Sequence, residues 1–109
     1  MRYQGGNMEG HRFWVKLHHA YTGEIVLAAC DEDILGRSIA IEDGFEAIIS
    51  EGFYMGSLVD WEQLRSMLQN ATIVNLVGNE VIGLAVKEGI VPESASRTVG
   101  GIKHVQIMR

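Results

Sequence analysis

Between residues 12 and 19 the side chains alternate, with Phe13, Val15 and Leu17 on one side and Arg12, Trp14, Lys16 and His18 on the other. A period of two predicts a half-buried strand, here with a polar, aromatic outer face. Tyr21-Thr22-Gly23-Glu24 reads as a turn, and Ile25 to Cys30 is apolar throughout, as a more deeply buried strand requires. The two predict an antiparallel hairpin.

In Asp31-Glu32-Asp33-Ile34-Leu35-Gly36, Asp31 suits the cap of a short helical turn, Glu32 and Asp33 its positive end, and Gly36 a left-handed close. Phe45 to Ser50 is a third predicted strand, and Phe53 to Ser57 a loop with unusually large apolar residues. Asp60 with Gln63 three residues on is a capping signal, after which Trp61, Leu64 and Leu68 space as one face of a helix ending near Asn70. Ala71 to Val77 reads as a buried strand, and Gly78-Asn79 leads into a helix with few polar faces (Val81, Ile82, Leu84, Ala85, Val86). Gly89 ends that helix and Pro92 prevents its resumption. Arg97 to Val99, Gly100-Gly101 and Ile102 to Met108 predict a terminal hairpin or a bulged strand.

These elements make an α+β fold, with a mixed, mostly antiparallel sheet and two main helices packed on one face. The predicted core is Phe13, Val15, Leu17, Ile25, Leu27, Ile48, Leu64, Leu68, Ile73, Val74, Ile82, Ala85, Val105 and Ile107.

The 109 residues, 47% of them hydrophobic, suit one domain over residues 12–109 behind a flexible lead-in over residues 1–11. No apolar run approaches the ~18 residues of a membrane span, and no apolar stretch follows the first basic residue as in a signal peptide. A single cysteine forbids an intramolecular disulfide and points to the reducing cytoplasm.

The net charge of −5 argues against a wholly basic nucleic-acid binder, but the charges are sorted. Residues 1–20 carry a net +2 and residues 94–109 a net +3, while the 73 between them carry −10. All four histidines, His11, His18, His19 and His104, lie in the two terminal segments. If those ends meet, the molecule has one basic, histidine-bearing side.

Four blocks, taken in order, resemble the archaeal family catalogued as domain of unknown function 424: residues Cys30 to Gly36, Phe53-Tyr54-Met55-Gly56, Ala71 to Gly78, and Gly100 to Gln106. The resemblance starts near Phe13 and runs to the C-terminus. The family's usual block has two glycines after the Phe-Tyr pair, and Met55 fills the first place here. The resemblance implies an archaeal origin, a small cytosolic single domain and no established activity, so it brings no catalytic residues with it.

Individual motifs add little chemistry. Cys30 precedes a helical turn, a place that can lower a thiol pKa, yet Asp31, Glu32 and Asp33 oppose the thiolate and the apolar strand suits a buried thiol. His18 and His19 are strand neighbours and point to opposite faces. One cysteine leaves a structural zinc site without its usual ligands, so no metal is expected; His18, His104 and one carboxylate would be the alternative set. Gly78-Asn79 lacks the Walker lysine and the three-glycine fingerprint, and Ser57 has no nucleophile elbow. No cofactor is implied.

The leading expectation is a non-catalytic binding module that presents its terminal strands to RNA or a ribonucleoprotein, with translation as its setting. Trp14, Lys16, His18, Lys103, His104 and Gln106 would form the nucleic-acid surface, stacking and charge combined. The first and last strands should then lie in one sheet, with His18, His104 and Lys16 sharing a surface. One alternative is a small thiol-dependent enzyme built on Cys30, Asp31 and His104. Another is a protein–protein interaction module using Phe53, Tyr54 and Met55.

Overall fold

The computed structural model describes residues 10–42 and 44–109. The lead-in expected over residues 1–11 therefore lies, apart from Gly10 and His11, outside the described residues. Strand β1 (Arg12–His19) and strand β2 (Ile25–Asp31) form the predicted antiparallel hairpin, with Phe13 opposite Asp31 and His19 opposite Ile25. Its turn is closed by the Gly23 N–H donating to the Ala20 carbonyl at 3.0 Å.

A second antiparallel pair, β3 (Ser38–Glu42) and β4 (Phe45–Ile48), forms a separate two-stranded sheet. The hydrophobic pattern predicts β4, as Phe45 to Ser50, and misses β3, although Ile39 and Ile41 alternate there with Ser38, Ala40 and Glu42. The expected loop after it is a single helical turn, α1 (Glu51–Tyr54), where the Ser50 hydroxyl accepts from the Phe53 N–H at 3.2 Å. Edge strand β5 (Ser57–Asp60) follows and leads into α2 (Trp61–Leu68). The predicted capping box is present: the Gln63 N–H donates to Asp60 Oδ1 at 2.9 Å and the Asp60 N–H to Gln63 Oε1 at 3.1 Å.

Strand β6 (Ile73–Val77) pairs parallel with β2, and α3 (Asn79–Lys87) follows it. Strands β7 (Arg97–Val99) and β8 (Ile102–Met108) form the terminal hairpin about Gly100-Gly101, both at positive φ. The main sheet runs β5-β1-β2-β6-β8-β7, antiparallel except for β2–β6.

Helices α2 and α3 pack on one face, where Phe13, Leu27, Leu64, Val74, Ile82 and Val105 are buried together. The other face is covered too, by α1 and the β3–β4 hairpin, over a smaller cluster of Ala28, Cys30, Ile34, Ile49, Tyr54 and Val77. That second layer explains why β2 is apolar on both sides. Two predicted core residues are corrected. Leu17 is 39% exposed because β5 pairs with β1 only from Arg12 to Val15, so the strand outruns its cover. Ile48 is 66% exposed and lies at a cavity between the hairpin and the sheet.

Candidate functional site

Strand register decides which candidate residues meet. Across β1, β2, β6 and β8, one row is Trp14, Cys30, Val77 and His104, the next is Lys16, Ala28, Asn75 and Gln106, and the third is His18, Val26, Ile73 and Met108. Trp14, Lys16, His18, His104 and Gln106 thus share one face, whereas Lys103 belongs to the opposite, helix-covered face.

Sharing a face does not make them one surface, because α1 lies across it. Lys16 Nζ donates to the Gly52 carbonyl at 3.1 Å. The His18 ring is hydrogen-bonded to the Phe53 carbonyl at 2.9 Å and stacks on the Phe53 ring at 4.8 Å. Trp14 is half-buried against the smaller core cluster. Three strand spacings and four residues of rise separate His18 from His104, roughly 20 Å or two Debye lengths. Two of the terminal charges are also engaged elsewhere: Arg12 pairs with Glu32 at 3.1 Å, and Arg109 donates to the Leu68 carbonyl. The outer face of β1 is therefore a packed layer, not the solvated face its alternation predicts.

Cys30, Asp31 and His104 are not brought together. Cys30 is fully buried, and burial, reinforced by the charges of Asp31 and Asp33, pushes its thiol up to about 12. Val77 stands between Cys30 and His104 in the sheet. Asp31 points to the other face, where its carboxylate accepts from the Glu80 and Val81 N–H groups at 3.0 and 2.8 Å. It makes no side-chain cap to the 3-10 turn Glu32–Ile34 that it was expected to start; it caps α3 instead. A Cβ on Gly78, at φ 131°, would run into that carboxylate. The helix N-terminus that could bind a phosphate is thus filled by a side chain of the protein itself. Burial raises the Asp31 pKa, the two amide bonds act to lower it, and Asp33 and Glu80 add to the rise.

What the fold does build on this side is a cavity of about 250 Å³ between the hairpin and the main sheet. Ile39, Ile48 and Ile49 line it from the hairpin side, and Val77, Val99 and Ile102 from the sheet. Two polar side chains enter the lining, Tyr54 and His104. The Tyr54 hydroxyl donates to Asn75 Oδ1 at 2.8 Å, and burial together with Cys30 holds it well above the usual phenol range. His104 is left as the polar group facing the space, its pKa lowered by burial and by the Arg97 charge opposite it on β7. Gly100 admits the hairpin: a Cβ there would lie 2.7 Å from Ile39 Cγ2 and 3.0 Å from the Ala40 carbonyl oxygen. The sequence reading missed this site because its walls come from segments distant in the chain and one of them, β3, was not recognised. The Gly100-Gly101 turn and His104 were its visible traces. Among the described residues, no three His, Cys, Asp or Glu side chains are placed to hold a metal ion.

The sequence model of the family described as "Protein of unknown function (DUF424)" matches residues 19–109. The chain belongs to the DUF424 family. The match begins later than the residues near Phe13 that suggested it, and it takes in β2, both walls of the cavity and the Asp31 cap of α3. The DUF424 chain is also similar to an uncharacterised conserved protein of known crystal structure from Methanopyrus kandleri. The two are 28% identical, with a TM-score of 0.73 over 88% of this chain and 90% of that one. No curated protein matches. No helix among the described residues is long and apolar enough to cross a membrane.

Proposed function

We propose that this DUF424 protein is a non-catalytic binding module whose site is the cavity between the β3–β4 hairpin and the main sheet. One observation carries the reading: an apolar, half-enclosed space of about 250 Å³ lined by His104, the one polar side chain of its described lining without a hydrogen-bond partner among the described residues. Specific small-molecule sites combine apolar walls with a few placed polar groups, and ~300–1,000 Å³ is their usual size. This cavity lies just below that range, so it suits one ring or one branched chain. Catalysis has less behind it, since the Cys30 thiol is buried, its pKa is pushed up by burial and by the charges of Asp31 and Asp33, and Val77 separates it from His104.

Binding to RNA, the expectation raised by the terminal charges, would need α1 to leave the sheet, because Lys16 and His18 are bonded to its backbone and Trp14 is packed. A low-salt filter titration with total RNA separates the two readings. The cavity reading expects no salt-sensitive retention at protein concentrations up to tens of micromolar, about the upper reach of ordinary non-specific binding. The direct test titrates indole and phenylacetamide into labelled protein and follows backbone amide shifts. Saturable shifts at Val77, Val99, Ile102 and His104 are expected, and their absence up to ~10 mM, weaker than any useful fragment affinity, overturns the proposal.

A further inference from the structure

The cavity has a chemically uneven mouth. Its walls are aliphatic, but β7 passes along one side with Arg97 directly opposite His104 and Val99 opposite Ile102. Residues two apart on a strand share a face, so Arg97 stands on the same side as the lining residue Val99. The ion pairs among the described residues involve Arg12, Arg65 and His11, and none takes up Arg97, which is exposed. An apolar hollow lined by the His104 imidazole and bordered by an exposed guanidinium that is unpaired among the described residues is complementary to a molecule with an apolar body and an anionic end.

We infer that the ligand of this cavity is a small hydrophobic carboxylate, its ring or branched chain in the aliphatic hollow and its carboxylate held between Arg97 and His104. The inference rests on the cavity being the binding site. The imidazole donates one N–H to the carboxylate and the guanidinium supplies charge-assisted bonds from the solvent side. Among the described lining residues the other titratable side chain is Tyr54 from α1, with the buried Cys30 of β2 close to it; β3 and β4 bring Ile39, Ala47 and Ile48 to the lining, and Glu46 of β4 stands next to Ala47 in the chain. Arg97 and His104 are register partners on adjacent antiparallel strands, so the two side chains stand beside each other on one face, and the Arg97 charge lowers the His104 pKa. A carboxylate between them offsets that charge, so binding must raise the His104 pKa, and by linkage affinity must rise as His104 protonates. The same chemistry is presented by a free acid and by the C-terminal residue of a peptide.

The test compares ligands sharing one body: phenylacetate, its neutral counterpart phenylacetamide, and 2-phenylethylammonium. Phenylacetate should bind about fivefold more tightly than the amide, the value of one exposed ion pair of ~1 kcal/mol, and the ammonium should bind worst. Arg97→Gln should remove the preference for the acid, bringing phenylacetate down to the affinity of phenylacetamide for the same variant. Phenylacetate, but not the amide, should raise the His104 pKa followed by imidazole proton shifts, by ~0.5 pH unit. N-acetyl-Gly-Phe and its C-terminal amide decide the source. A peptide acid that binds more tightly than phenylacetate, with its amide falling back, identifies a protein C-terminus, and equal binding identifies a free acid. If phenylacetamide binds as well as phenylacetate in the wild type, the inference is overturned while the cavity reading stands. If neither binds, the cavity reading itself fails.

Discussion

Replacing Asp31 by alanine tests the contact that joins the two halves of the sheet to α3. The carboxylate accepts from the Glu80 and Val81 amides, the latter bond fully buried. A buried donor left without a partner costs about 1–3 kcal/mol, and loss of an N-cap typically costs ~1 kcal/mol. Removing a buried negative charge beside Asp33 and Glu80 works in the other direction. The net expectation is a loss of about 2–3 kcal/mol, or ~8–12 °C in Tm for a chain of this size. The pH dependence is the sharper part. A carboxyl raised in the fold above its ordinary 3.8 is held better protonated than ionised. Its contribution is fully present below the unfolded pKa and is lost as pH rises through the folded value. The cost of Asp31→Ala should therefore be larger at pH 4 than at pH 7, opposite to an ordinary helix-capping carboxylate. Urea unfolding of wild type and variant at several pH values, followed by the fluorescence of Trp14 and Trp61, measures the difference directly. A cost that grows with pH would show that the two amide bonds outweigh burial, and a cost under ~0.5 kcal/mol would show that α3 does not depend on this cap.

Gly100→Ala places a methyl group against Ile39 and the Ala40 carbonyl, so amide exchange at Ile39 and Ile49 should quicken by more than the global loss of about 1–2 kcal/mol explains; equal effects across the protein would refute the close approach. Cys30 in the native state should react with a thiol probe at neutral pH only as fast as the protein unfolds, since it is fully buried with a pKa near 12, and rapid labelling at pH 7 would contradict that placement. Arg109→Ala removes the bond to the Leu68 carbonyl at the end of α2 and should lower stability by about 1–2 kcal/mol in urea, with an unchanged midpoint counting against a structural role for the last residue.

Local pattern was enough for the elements that carry their own signal. The alternation in β1, the box of Asp60 and Gln63, the glycine pair of the last hairpin and the apolar α3 each depend on neighbours within a few residues, and each appears where its residues require. The α+β class and the placement of both main helices on one face followed from the same periodicities. Polar alternation could not reveal what would lie over the polar side, and α1, a single turn too short to show a period, covers Lys16 and His18 there. Nor could it show that Asp31, an apt cap for the turn beside it, would reach the start of a helix some fifty residues later, because that choice depends on β2 and β6 lying parallel and side by side. The cavity is the furthest from the sequence. It exists because the short β3–β4 hairpin packs against Gly100, some sixty residues from Ile39 in the chain, a long-range contact that no local window contains, while the terminal hairpin sets Arg97 opposite His104.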